Sequence, residues 1–420
     1  MSEPAKITVG DLVAEFLARC GVDLAFGVIS IHNMPMLDAI HRRGGIRFIP
    51  ARGEAGAANM ADAAARVGGG LGVVFTSTGT GAGNAAGALV EAATAGTPLL
   101  HLTTQIDTPY LDRGFGYIHE AKDQLAMRKA VSKAAYRIAA PAQALAVLRE
   151  AVQVALTAPT GPVSVEIPVD VQQSAIAPPA DLAPLPVAPL APDRRQLDRL
   201  MARASQARRP LLWLGGGARA ARAAVARLAE LGFGTVTSTA GRGVLREDHP
   251  LSLGTFGAAP SVEELYQTAD LMIIAGSHLR SNETRTYTAA LPAARIRVDV
   301  DPAADGRGYA CEEFLLGDAG IVLDHLAEGL AAHPPVVDPD FAGDIIAARR
   351  AAEAALRRNA GPYAAMMDAL AAQMPAGAPW VRDITLANSI WGNRAPAMPS
   401  PRLAVHALGG GIGQGLPMAV

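Results

Sequence analysis

Short apolar runs of strand length recur along this 420-residue chain, and each is followed by a turn and then a stretch with helical spacing. VDLAFGV (22–28) precedes MPMLDAIHRR, IRFIP (46–50) precedes an alanine-rich helix opening near Glu54, and LGVVFTS (71–77) precedes NAAGALVEAATAG, after which comes PLLHLTT (98–104). Strands that read as nearly continuous apolar runs are buried on both faces, and strands separated by helices cross over to pair in parallel. The pattern predicts an α/β fold of consecutive doubly wound parallel-sheet domains.

A helix over 7–19 opens the first domain, and a helix near 141–157 followed by strand VSVEIPVD closes it, giving residues 1–174. The stretch 175–193, AIAPPADLAPLPVAPLAPD, has no amphipathic period and reads as an extended linker. A second α/β domain spans 194–333, with strands PLLWLG, TVTS, LMIIAG and RIRVDVD and a helix over 218–231. Residues 334–343 read as a second linker. Helices near 344–358 and 362–373 begin a third unit, 344–420, with few strands to close a sheet.

Half of the residues are hydrophobic and 18% are charged, as in globular chains. With 37 basic and 39 acidic residues the net charge is -2, which argues against nucleic acid or an anionic membrane as partner. MSEPAKITVG lacks the features of a secretory signal, and no apolar run approaches the ~20 residues of a membrane span, so a soluble cytoplasmic protein is expected. Cys20 and Cys311 stand far apart, without the spacing of a disulfide framework or zinc site.

Two glycine-rich turns and three polar residues stand out as candidate chemistry. Gly79, Gly81 and Gly83 in TSTGTGAGN lie between a strand and a helix, where glycines either let backbone amides approach a ligand or allow tight packing. The next strand ends in Thr103 and Thr104, where a dinucleotide site would carry an acid, so NAD is disfavoured there. Gly215, Gly216 and Gly217 pose the same alternative, with the tight turn favoured over a nucleotide. Glu54 opens a helix among Gly53, Ala55, Gly56, Ala57 and Ala58. It can simply favour the helix dipole, by about 0.3–1 kcal/mol, or face a second molecule across the small residues. His32 in ISIHNMP and His119 in FGYIHEAKDQ are loop imidazoles, ordinary singly, but able to move protons near neutral pH if they share a cleft with Glu54. No Ser-His-Asp order or nucleophile elbow accompanies them.

Taken in order, AFGVISIHNMPMLDAI, ARGEAGAANMADAAAR, FTSTGTGAGNAAGALVEAATAGTPLLHLTTQ and FGYIHEAKDQLAMRKAVSKAAYRI resemble the thiamine-diphosphate enzymes of the acetolactate synthase, benzoylformate decarboxylase and benzaldehyde lyase group. AGRGVLREDHPLSLGTFG and RIRVDVDP with LLGDA resemble that family's central domain, and LGGGIGQGLPMAV the opening of its diphosphate-binding domain. The resemblance implies pyrimidine-binding, central Rossmann-like and diphosphate-binding domains, the last incomplete here, in a homodimer or homotetramer with sites shared between subunits. It implies that Glu54 hydrogen-bonds the aminopyrimidine, so that a C2 ylide forms, attacks a 2-oxo acid and, after loss of CO2, leaves an enamine. It places His32 and His119 near the substrate, His119 where relatives often carry glutamine. Ser30, Asn84 and Gln105 border the same cleft, Gly79 and Gly81 lie beside the cofactor, and Gly411 and Ile412 lie where a bulky apolar residue bends it.

The usual Gly-Pro-Gly turn reads Gly79-Thr80-Gly81 here, and the usual proline-glycine loop reads Ile29-Ser30-Ile31-His32, which bears on substrate choice. The residues that hold Mg2+ and the diphosphate are expected beyond Val420, with no metal ligand within this chain. FAD is possible in such a family but has no support in the sequence. The expected function is a thiamine-diphosphate-dependent lyase or carboligase of 2-oxo acids, decarboxylating or condensing as acetolactate synthase does. The alternatives are a noncatalytic paralogue or fragment and a nucleotide-binding oxidoreductase.

Overall fold

The computed structural model describes residues 6–420; residues 1–5, part of the segment weighed for a secretory signal, lie outside the described residues. The chain divides into two compact units, Met1–Ala188 with His406–Val420, and Pro189–Val405.

The first unit is built on six parallel strands. In chain order its elements are β1 (Ile7–Thr8), α1 (Val9–Arg19), β2 (Leu24–Gly27), α2 (Met34–Arg43), β3 (Arg47–Pro50), α3 (Glu54–Gly68), β4 (Gly72–Thr76), α4 (Thr80–Asn84), α5 (Ala86–Ala95) and β5 (Leu99–Gln105). There follow α6 (Gln124–Val131), β6 (Ala134–Arg137), α7 (Ala144–Leu156), β7 (Pro162–Pro168), α8 (Val169–Gln173) and β8 (Ala175–Ile176). The sheet order is β3-β2-β4-β5-β7-β6. Successive residues of one strand serve opposite faces: Val73 and Phe75 pack in the core with α1, α2 and α7, whereas Val74 packs with the alanines of α3 and α5. Burial on both faces is why these strands show no apolar/polar alternation.

Local signals set the element ends. Thr8 caps α1 reciprocally, its Oγ1 accepting from Asp11 N at 3.0 Å while Asp11 Oδ2 accepts from Thr8 N at 2.9 Å. The helix therefore starts at Val9 and not at residue 7, and Ile7–Thr8 pair antiparallel with Ala175–Ile176. That pairing takes two residues from the start of the expected linker. Further along, Arg149 Nε donates to Ala183 O at 2.9 Å and so holds the remaining extended chain on α7.

The second unit repeats the plan with α9 (Arg194–Ser205), β9 (Pro210–Leu214), α10 (Arg222–Glu230), β10 (Gly234–Thr237), α11 (Pro260–Tyr266), β11 (Leu271–Ala275), β12 (Arg295–Asp299), β13 (Glu313–Leu316), α12 (Ala319–Ala332), α13 (Phe341–Ala360) and α14 (Tyr363–Gln373). Its five strands are parallel in the order β10-β9-β11-β12-β13. Leu212, Leu214, Ile273 and Val298 face one core, and Leu211, Trp213, Met272 and Ile274 the other. The α/β, doubly wound parallel-sheet expectation thus holds in both units.

Helix α13 opens inside the stretch read as a linker over 334–343. Phe341 is fully buried beside Ile345 in the second unit's core, and the Arg209 guanidinium lies 4.9 Å over its ring, which fixes the start there. Residues 344–405 cluster with the second unit, while 406–420, including α15 (Gly415–Ala419), cluster with the first. No described helix is long and apolar enough to cross a membrane.

A polar seam runs through the first unit's core. His101 is fully buried on β5, with Nε2 2.9 Å from Thr76 Oγ1 and Nδ1 2.9 Å from Ser164 Oγ. Burial, aided by the charge of Arg128, pushes its pKa down to about 3. The unfolded chain therefore binds a proton between pH 6.5 and about 3 that the folded chain refuses, so this stabilising contribution is complete above pH 6.5 and is lost as pH falls. From pH 7 to pH 5 the loss attributable to His101 is about 2 kcal/mol. Urea unfolding of His101→Asn at both pH values should show that much less acid destabilisation than the parent, each referred to its own stability at pH 7.

Candidate active site

The site is built at the carboxyl ends of β2, β3 and β4, where the crevice of a doubly wound sheet lies. Glu54 is the first residue of α3, and Gly53 before it is extended, which turns the chain sharply from the end of β3 into the helix. The Glu54 side chain is buried. Its Oε2 accepts from Asn84 Nδ2 at 3.1 Å, and Oε1 lies where a Cβ on Gly81 would stand, at 2.7 Å. A buried carboxylate needs donors, and Asn84 supplies one. Among the described residues no donor reaches Oε1.

The glycine turn is arranged for this carboxylate. Gly79 adopts φ +57°, and a Cβ there would fall 2.0 Å from the carbonyl oxygen of His119, so only glycine lets the 119 loop close on the turn. The helix begins at Thr80 rather than near Asn84, which places Gly81 and Asn84 on α4 against Glu54. Gly83 has a different situation: the nearest atom to an added Cβ is Met127 Sδ, at 4.0 Å.

Gln124, which sequence reasoning missed, organises the turn from the other side. Its Oε1 accepts from Gly79 N at 2.6 Å, while Nε2 donates to Thr104 O at 2.8 Å and Glu166 Oε2 at 2.9 Å. Thr78 Oγ1 lies 3.1 Å from the amide oxygens of both Gln124 and Gln105. Gln105 also accepts from Ile106 N at 2.9 Å, so its side-chain oxygen is committed to the loop. The only signal for Gln124 in the sequence is its position after Asp123, which caps α6 through Ala126 N at 2.8 Å.

His32 and His119 come together, their rings edge to face with centroids 5.1 Å apart. The His32 loop is a designed turn: Ser30 N donates to Asn33 Oδ1 at 2.9 Å, Asn33 Nδ2 to Val28 O at 2.9 Å, and Gln172 Nε2 to His32 O at 3.0 Å. Ser30 therefore shapes the loop, its Oγ accepting from His32 N at 3.3 Å. His32 is buried with Nδ1 lacking a partner, whereas His119 is exposed at φ +65°. Burial and then the neighbouring His119 lower the His32 pKa against the opposing pull of Asp107, so the ring is a neutral proton acceptor at neutral pH. The two loops expose Ile29, Ile31, Met34, Phe115 and Ile118 around this pair.

Gly411 and Ile412 lie on the loop before α15, which packs on α3, and a Cβ on Gly56 would be 3.9 Å from Pro417. Ile412 itself is 80% exposed. The loop's preceding turn is held by Glu91, whose carboxylate accepts from Leu408 N at 2.6 Å and Gly409 N at 2.7 Å. No group of three or more His, Cys, Asp or Glu able to hold a metal occurs among the described residues. The second glycine turn serves the chain itself: a Cβ on Gly215 would lie 1.9 Å from Gly276 O, and one on Gly241 2.1 Å from Leu214 O.

Two alanine substitutions on one short helix separate packing from helix propensity. Gly83→Ala should be neutral or stabilising by roughly 0.5–1 kcal/mol. Gly81→Ala, whose Cβ would meet Glu54 Oε1 at 2.7 Å and Ser77 Cβ at 2.8 Å, should instead destabilise by about 1–3 kcal/mol in urea unfolding.

Two family profiles match the chain. The thiamine pyrophosphate enzyme N-terminal TPP binding domain matches residues 7–127, and the thiamine pyrophosphate enzyme central domain matches 197–326. Over its whole length the chain is 33% identical to the Pseudomonas aeruginosa protein named "Probable 2-ketoarginine decarboxylase AruI", covering 75% of that relative. It is 30% identical to the acetolactate synthase large subunit of Corynebacterium glutamicum, over 77% of this chain and 53% of that one. It is also 30% identical to the glyoxylate carboligase of Escherichia coli O157:H7, over 77% of this chain and 56% of that one. The chain thus spans from about half to three quarters of the length of these relatives. A solved structure of a candidate thiamin diphosphate-dependent enzyme from Mycobacterium smegmatis superposes with a TM-score of 0.78 at 25% identity, covering 99% of this chain and 79% of that one. With these matches the chain belongs to the thiamine pyrophosphate enzymes.

Proposed function

We propose that the protein is a thiamine-diphosphate-dependent lyase or carboligase acting on a 2-oxo acid, with loss of CO2 following addition of the cofactor's nucleophilic carbon to the 2-oxo group. The observation that carries this reading is the Glu54 carboxylate: one oxygen is held by Asn84, and the other borders space kept clear by the missing side chain of Gly81. A ring nitrogen able to share a proton would supply the donor that Oε1 lacks, which is the sense in which these residues fit an aminopyrimidine. When bound, thiamine diphosphate supplies a nucleophilic carbon and an electron sink for the carboxyl carbon's departure.

The chain's own residues account for the rest. Glu54 holds or releases a proton at the pyrimidine nitrogen, and Asn84 fixes the plane of its carboxylate so that the same oxygen meets that nitrogen on every turnover. Gly81 leaves room for the carboxylate itself, and Gly79 lets the 119 loop close on the turn. His32, neutral and buried, accepts or returns a proton on the substrate side, with His119 beside it at the solvent edge. The apolar residues exposed around the histidines favour a covered site, in keeping with a homodimer or homotetramer whose subunits close it. Mg2+ belongs to the same reading as the counter-charge of the diphosphate.

Glu54→Gln keeps size and hydrogen bonding and removes only the proton-holding charge. For the full-length protein with thiamine diphosphate and Mg2+, hydrogen–deuterium exchange at the cofactor C2 should slow by at least ~100-fold, in the range of general acid-base contributions, with thermal stability nearly unchanged. Exchange at the parent rate would overturn the assignment, and absence of CO2 release from a panel of 2-oxo acids would overturn the proposed function.

A further inference from the structure

The second unit contains a cavity that the thiamine chemistry does not use. It is a small, partly open cavity at the carboxyl ends of β9 and β10, lined by Trp213, Thr237, Thr255, Asn282, Glu283 and Arg394 among others. Two of its lining side chains are buried and carry polar atoms with no hydrogen-bond partner, Trp213 Nε1 and Thr237 Oγ1. A buried indole N–H without an acceptor costs free energy unless something outside the protein satisfies it.

Arg394 adds a charge. It is half-buried, and no hydrogen bond or ion pair of its guanidinium occurs among the described residues. Burial pulls its pKa down, and the nearby Arg242 guanidinium pulls in the same direction. Arg242 is neutralised by Glu247 through two bonds of 2.8 and 2.6 Å, which leaves that acid committed. Behind the cavity lining, the Arg382 guanidinium donates to Asn388 Oδ1 at 2.9 Å, and burial pulls its pKa down, with Arg242 adding to the effect and Glu247 opposing it. Glu283 is the one carboxylate lining the cavity, and its Oε1 already accepts from Thr239 N and Thr239 Oγ1, both at 2.7 Å. Of the two charged groups lining the cavity, Glu283 is thus committed to Thr239 while Arg394 is not committed, and the cavity's unsatisfied groups are mainly donors.

We propose that this cavity binds a small oxyanion, a carboxylate or phosphate, with Arg394 as its charged anchor and Trp213, Thr237 and Asn282 as neutral donors. A guanidinium offers paired N–H groups to two oxygens of one anion, and partial desolvation strengthens each bond. The adjacent glycine turn does not extend the site into a cradle for a pyrophosphate, because Gly215 and Gly217 are packed against Gly276. The ligand is therefore compact. Occupancy would tie together the segments after β10, after β11 and around residue 394, making the second unit's stability responsive to the anion.

The test uses the full chain without thiamine diphosphate, so that it stands or falls apart from the catalytic reading. Inorganic phosphate and malonate are titrated separately at constant ionic strength, by calorimetry and by 15N NMR of the tryptophan indoles. Saturable binding of either probe in the millimolar range, with a shift confined to the Trp213 indole, is expected, and the stronger probe identifies the oxyanion class. Arg394→Gln should fold with little change in thermal stability and weaken binding at least ~10-fold, whereas Arg394→Lys should retain part of it. No saturation up to ~50 mM, equal binding by Arg394→Gln, or binding of ADP without binding of phosphate would each overturn the proposal.

Discussion

Helix α3 is fixed at its far end by a buried guanidinium, and the placement of Glu54 depends on that anchor. Arg66 lies in the last turn of α3 and donates to Asp62 Oδ1 at 2.9 Å, Asp62 Oδ2 at 2.5 Å, Glu91 Oε1 at 2.8 Å and the carbonyl of His406 at 2.7 Å. Burial opposes the Arg66 charge, but Asp62 and Glu91 hold it protonated above its ordinary pKa. Removing one partner of such a buried network costs about 3–5 kcal/mol, because a charge is left uncompensated. The network joins α3, α5 and the 406–409 turn, so a rigid rod runs from this anchor to the carboxylate at the other end of the same helix. Catalytic carboxylates on helices need that stiffness, since a displacement of about 1 Å can cost 100-fold in rate.

Much of the fold could be read from the sequence because two-sided burial leaves a strong signature. The runs containing β2, β4, β5 and β9 were found as strands, and the helix over Met34–Arg43 was placed to the residue. Two short strands at or near sheet edges carry no such signature and are missed. β6, AAYR, is half-buried along its length, and β13, EFLL, sits at a sheet edge with only Leu315 fully buried. The start of α13 was hidden in a proline-rich stretch because its decisive feature is tertiary: Phe341 entering a core assembled from strands more than 60 residues earlier. The two-residue pairing of Ile7–Thr8 with Ala175–Ile176 is likewise a contact between distant segments.

The two glycine-rich turns show why motif and site are different things. TSTGTGAGN and LGGGA both follow buried strands and both precede helical turns, and nothing in their composition separates them. In space, Gly81 gives up its side chain to a carboxylate, and Gly215 gives up its side chain to the backbone of Gly276. The first choice leaves a functional group facing open space, and the second fills the space with chain. Glu54 and His32 are legible as candidates because polar residues in small or loop surroundings are conspicuous, whereas the 5.1 Å approach of the His32 and His119 rings is a contact between distant loops. Gln124 was not legible, since a glutamine at a helix start looks like any solvated residue until its four side-chain hydrogen bonds are seen.

The histidine pair links the turn to the outside of the molecule. Gly79 holds His119 by direct backbone packing, Gln124 holds Gly79, and Gln124 in turn bonds Glu166, which also pairs with Arg137. A chain of this kind couples the imidazole at the surface to the buried polar seam, so a shift in either loop changes the distance between the two rings. His32 is the fixed member, with its carbonyl bonded by Gln172 and its ring buried, and His119 is the exposed one, on a loop whose amides at Gly114, Gly116 and Tyr117 all donate to the single carboxylate of Glu120. That carboxylate organises the loop without contacting a helix or a strand. The loop therefore carries its own brace, separate from the hydrogen bonds of the sheet beneath it, and the exposed imidazole depends on that brace and on the contact with Gly79.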